Sequence, residues 1–188
     1  MQRQSERFTI FVTVALILVG AGLRILRNNG ALPLPPNVAP VTAIALLGSV
    51  YLPRRWSWII PLAIMVGSDV IIGVYTWQVM ISVYLSFGAG LLLGAWLKRR
   101  VTAGRLAIAS LTASTVFFLV TNAAVWAFQT MYPHNLVGLG QAYAAGIPFF
   151  RNTLLGDLGY SAVFFGLRAA IVVYSRRWMQ RISVATHA

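Results

Sequence analysis

Long apolar blocks, broken by basic clusters and prolines, set the pattern of this chain. The run "FTIFVTVALILVGAGLRIL" is an example, and a helix needs about 20 such residues to cross a bilayer. Six segments come near that length, at about 8–26, 40–52, 57–74, 78–97, 105–129 and 147–175. The second is short, because thirteen residues at about 1.5 Å each cover only about 20 Å. It must be met partway through the membrane by the proline-rich stretch "LPLPPNVAP" before it. Irregular backbone at that depth is tolerated only where protein or a water-filled cavity covers it, so Leu32–Pro40 is expected to cap a cavity. Residues 130–146 read as the longest connection, too short to fold alone. The pattern therefore predicts a single domain over 1–188, all-α, an integral membrane bundle of six transmembrane helices.

Composition agrees with the pattern and charge orients it. Hydrophobic residues make up 59% of the chain, charged ones 10%, and the mean hydropathy is +0.76, well above that of a soluble domain. Fifteen Lys and Arg face three acids, Glu6, Asp69 and Asp157. Such an excess would suggest nucleic acid, but the basic residues sit at the ends of apolar spans and read as topology signals, with no nucleic-acid partner expected. With six helices, eleven of them fall at one end, among them Arg54, Arg55, Lys98, Arg99, Arg100 and Arg105; only Arg24, Arg27 and Arg151 fall at the other, and Arg168 lies inside the last span. The basic end is then cytoplasmic and holds both termini. A rival reading makes residues 8–22 a cleaved signal sequence, and it leaves the other five spans as they are. The absence of cysteine excludes disulfides, thiolate metal sites and cysteine nucleophiles.

Given this orientation, the polar residues of the spans gather toward the outer leaflet. Asp69 falls about one turn below the outer end of the third span, and Asn122, Trp126 and Gln129 share one face of the fifth. In "IPFFRNTLLGDLGYSAVFFG", Arg151, Asn152, Asp157 and Tyr160 enter the last span, with Asp157 about 13 Å below Pro148. Asn37 belongs to the proline-rich cap. A charge near the middle of a membrane helix costs about 2.5–3.5 kcal/mol, so such residues pair, line a pathway or bind a ligand. The candidate substrate-binding set is Asn37, Asp69, Asn122, Trp126, Arg151, Asn152, Asp157 and Tyr160. Structural readings stand beside it: an ion pair between Asp69 and Arg151, with Asn122 and Asp157 as interhelical hydrogen-bonding glue. Gly90 and Gly94 form a GxxxG that serves either packing within the bundle or docking of a partner. His134 stands without a second ligand at metal spacing, so no metal and no cofactor are expected. No GxSxG, HExxH, Walker or GxGD context is present, and no enzyme is expected.

Four blocks carry a resemblance: "PPNVAPVTAIALLGSVYLP", "VGSDVIIG", "TNAAVWAF" and "GIPFFRNTLLGDLGYSAVFFG". Together they resemble a family of small bacterial membrane proteins of unknown function, described as putative transport proteins. That family is similar in turn to the substrate-binding S components of energy-coupling-factor (ECF) vitamin transporters. The resemblance implies a six-helix bundle of the inner membrane, an outward-facing pocket capped by the loop after the first helix, and docking onto a transmembrane scaffold with two ATPase subunits. The first helix lacks the Ala-x-x-x-Ala that S components often use for that docking. The expected function is uptake of a small micronutrient, a zwitterion or a neutral polar-aromatic molecule. The alternatives are a structural or accessory subunit without ligand and a solitary proton-coupled carrier.

Overall fold

The computed structural model describes residues 2–185. Its elements are α1 (Gln2–Asn28), α2 (Val41–Tyr51), α3 (Arg54–Ile72), α4 (Trp77–Leu97), α5 (Ala103–Phe128) and α6 (Leu136–Ala185), and there is no strand among the described residues. Five of the helices are long and apolar enough to cross a membrane. The exception is α2, whose 11 residues cover about 16 Å.

Local chemistry sets most of the helix ends. Pro53 stands just before α3, and Gly73 ends that helix with φ 114°, a conformation a Cβ would resist, while its N–H bonds the Asp69 carbonyl at 2.9 Å. Thr102 caps α5 by accepting the Arg105 N–H at 3.3 Å. The Arg105 guanidinium in turn donates to the Trp96 carbonyl at 3.0 Å and lies over the Trp96 ring at 4.0 Å, satisfying the exposed end of α4.

The last helix corrects the expectation most. A connection over 130–146 and a helix over 147–175 were predicted, but α6 begins at Leu136 and runs for 50 residues, about 75 Å. Asn135 starts it early: its side-chain oxygen accepts the Gly138 N–H at 2.9 Å, and its carbonyl accepts from Leu139. Gly138, which reads as a breaker, is needed there because a Cβ would run into the Pro133 carbonyl. Pro148 removes one backbone donor, a loss the surrounding turns tolerate. The extra turns pack on the end of α5, where Tyr143 donates to the Leu119 carbonyl at 3.1 Å and its ring meets Phe118.

Packing is organised around α2. It touches all five other helices, and Val41 through Leu46 are buried without interruption, as befits a helix apolar on every side. Val41 and Ile44 pack with Ile60, Ile64 and Met65 of α3, while Leu46 and Val50 pack with Leu97, Ala109 and Phe165. Since lipid is as apolar as leucine, close fit rather than water exclusion holds such helices together. Gly90 and Gly94 provide that fit, because α4 lies against α2 at both, and a Cβ at Gly94 would collide with Ser49. The GxxxG is spent on internal packing. Ser57 adds a bond from α3 to the Gly48 carbonyl at 2.9 Å.

Candidate functional site

A cavity of about 280 Å3 opens between the helices on the side away from the basic end. Its wall is assembled from every part of the fold: Arg24 and Arg27 of α1, Met65 of α3, Tyr75 of the connection after it, Phe87 of α4, Phe117 of α5, and Thr153 and Asp157 of α6. Thr42 at the start of α2 contributes as well. The proline-rich segment lies over it. Asn37 lines the cavity from that segment in a left-handed conformation, φ 65°, which asparagine adopts more readily than other side chains. The neighbouring Val38 rests on Gly156, where a methyl group would make van der Waals contact with it at 3.4 Å. The lid thus approaches α6 one residue away from Asp157, with room at 156 for a methyl group in ordinary contact and for little more.

Asp157 forms the floor and is 2% exposed. Its Oδ2 accepts the Ser114 hydroxyl at 2.7 Å, and the Thr42 hydroxyl is a second hydrogen-bonding neighbour. No cation lies within ion-pair distance among the described residues. Ser114 is the twelfth of the 26 residues of α5, about 21 Å below its far end. Asp157 therefore sits midway down the bundle rather than in the outer half, because α6 starts eleven residues earlier than expected and carries Asp157 deeper. Below it Ser110 and Ser161 share a hydrogen bond at 3.1 Å and close the space between α5 and α6.

Asp69 has a different environment although it is equally buried. Arg24 reaches it from α1 at 2.9 Å and also donates to Ser68 Oγ and, at 3.5 Å, to the Met65 carbonyl. The Tyr84 hydroxyl donates to the other carboxylate oxygen at 2.7 Å. One carboxylate thus ties α1, α3 and α4 together, and its partner is Arg24 rather than Arg151. The phenol of Tyr75, above this cluster, is pushed up to about 12 by burial and then by the Asp69 carboxylate, against the opposing pull of Arg24. It stays protonated at neutral pH and offers the cavity mouth a hydrogen-bond donor.

The eight candidate residues separate accordingly. Asn37 and Asp157 line the cavity, and Asp69 stands behind it, fixing Arg24. Asn122 and Trp126 lie apart, near the α5–α6 turn: Asn122 donates to the Phe118 carbonyl at 2.8 Å and fills the space left by Gly146, while Trp126 donates to the Pro133 carbonyl at 2.9 Å beside His134. Arg151 is exposed, Asn152 is half-buried outside the lining, and Tyr160 stacks on Phe164 at 6.0 Å. The candidate set read from the sequence left out Arg24, Arg27, Thr42, Ser114 and Thr153, although Thr42 and Thr153 stand among the polar residues of the same end. A signal for the arginines was present, since they break the charge asymmetry at the sparsely charged end and stand three apart on one helix face. Ser110 and Ser114 repeat the four-residue spacing of Asp157 and Ser161, which is the trace of the hydroxyl contacts.

Chemically the cavity is bipolar. Arg27 has no acid partner among the described residues, the Arg24 charge is offset by Asp69, and Asp157 waits at the floor with hydroxyls only. Phe87 and Phe117, with ring centroids 5.6 Å apart, supply an aromatic wall between these poles. No curated protein matches the chain, and no solved structure does. A family model matches residues 4–180, a stretch that reaches into all six helices. On that match the chain belongs to DUF6580, a family of unknown function.

Proposed function

We propose that this protein is a membrane-embedded binding subunit for the uptake of a small micronutrient. The observation that carries the proposal is the pair of uncompensated groups, Arg27 and Asp157, facing one lidded cavity. A carboxylate without a cation inside a membrane bundle is costly, and a ligand group that bonds Asp157 offsets that cost. Arg27, in the last turn of α1 at the cavity mouth, offers a charge to an acidic group. At about 280 Å3 the cavity falls just below the usual range for small-molecule sites, about 300–1,000 Å3, which favours a compact ligand. An acidic group would meet Arg27, a cationic or donor group would meet Asp157, and an aromatic or apolar body would lie along Phe87 and Phe117.

In this reading the basic end faces the cytoplasm and the lid faces outward, following the excess of Lys and Arg in the short connections. The work resembles that of the S components of ECF transporters, which present a ligand under the loop after the first helix. Release inward would require α5 and α6 to part, because Asp157 and the Ser110–Ser161 bond close the way below. A scaffold with ATPase subunits would drive that step. Its docking face would lie away from Gly90 and Gly94, which α2 occupies.

Native mass spectrometry of the protein in mild detergent tests the proposal. A stoichiometric non-lipid compound, lost in Arg27→Ala and Asp157→Asn, is the expected result. A bare polypeptide, with both variants folded and no compound stabilising the parent chain, would overturn it in favour of an accessory subunit.

A further inference from the structure

A second site lies between α3 and α4; it meets the first cavity at Phe87, which lines both, and it does not rest on the uptake reading. The helices α3 and α4 touch each other little, because α3 packs on α1 and α2 while α4 packs on α2 and α5. The gap between them holds two hollows, of about 370 and about 280 Å3, joined at Trp58 and Leu91, which line both. At the basic end the first is flanked by Arg54 and Lys98 and bordered by Ser49, whose buried hydroxyl has no partner. Farther along, the second is apolar, walled by Pro61, Leu62, Ile81 and Leu85. No acidic side chain lines either one.

We propose that this groove seats one anionic glycerophospholipid from the leaflet at the basic end. Its order of chemistry is that of the lipid: two cations for a phosphate headgroup, then a hydrocarbon channel for an acyl chain. From Lys98 to Ile81 is about 25 Å along α4, so one chain has a seat from the interface to beyond the middle of a core about 30 Å thick. Charge decides between lipids. A phosphatidylcholine headgroup carries an ammonium that Arg54 and Lys98 would repel, whereas phosphatidylglycerol brings only the negative charge. Gly88 lines the channel with open space in front of it, since a Cβ there meets nothing within 4 Å.

The test uses the full chain in nanodiscs of phosphatidylcholine containing a minor fraction of phosphatidylglycerol, ejected into a native mass spectrometer. The expected result is one phosphatidylglycerol per chain surviving collision energies that strip phosphatidylcholine. Arg54→Gln with Lys98→Gln should weaken its retention about thirtyfold. Gly88→Leu, whose Cβ has open space and whose branch projects into the channel, should abolish retention while both charges remain. Arg99→Gln with Arg100→Gln, at the same end but outside the lining, should leave it unchanged. Equal retention of the two lipids, or equal loss in the Arg99/Arg100 pair, would show that only general surface charge is at work and would overturn the site. Retention surviving Gly88→Leu in a folded variant would overturn the acyl channel.

Discussion

Replacing Arg24 by Met removes the guanidinium and keeps the length of the stem, which isolates the charge that holds α1 to the rest of the bundle. Three acceptors lose a donor: Asp69 Oδ1, Ser68 Oγ and the Met65 carbonyl. Asp69, 2% exposed, keeps only the Tyr84 hydroxyl and becomes an uncompensated buried charge. Breaking a buried pair from one side costs about 3–5 kcal/mol, against about 0–1 kcal/mol for an exposed pair. At about 2–4 °C per kcal/mol for a chain of this size, thermal unfolding in detergent should fall by on the order of 10 °C. The double variant Arg24→Met with Asp69→Asn should recover most of that loss, because the amide carries no charge and still accepts from Tyr84. A fall equal in the single and double variants, or one below about 1 kcal/mol, would refute the reasoning and put Arg24 among screened surface charges.

Other expectations separate binding from support. Asp157→Asn keeps the hydroxyl contacts of Ser114 and Thr42 and removes a buried group that no cation compensates, so thermal stability without ligand should equal or exceed that of the parent, while the compound found by mass spectrometry should no longer raise it. Gly94→Ala should cost about 1–3 kcal/mol in detergent unfolding, since its methyl meets Ser49 and the Leu46 carbonyl, whereas Gly90→Ala, whose methyl would make only ordinary contact, should be nearly neutral. Gly156→Val should push the lid off α6 through Val38, and a cysteine-reactive probe placed at Asn37→Cys should report faster labelling. Asn37→Gly should be tolerated and Asn37→Val should cost about 1–2 kcal/mol, because φ 65° suits glycine and strains a β-branched residue.

The sequence by itself determined what is local. Apolar length decided five of the membrane helices, and the thirteen-residue estimate for the second agrees with the 11 residues of α2. The ends of α2 through α5 fall within three residues of the expected boundaries, and Pro53, Gly73 and Thr102 are the residues that set three of them. The prolines of 32–40 signalled irregular backbone over a cavity, and the cavity is there.

Tertiary structure decided which faces meet. Where a helix is apolar all round, no stripe tells which side turns inward, so the azimuth of each helix follows from packing against its neighbours. That is why Arg24 rather than Arg151 reaches Asp69, why Asn122 settles against Gly146 away from the cavity, and why serines with no individual signal come to line Asp157. The early start of α6 has the same origin. Glycines and a proline that break an isolated helix are held helical by a capping asparagine and by close contact with Pro133 and α5, and only the folded chain supplies that contact.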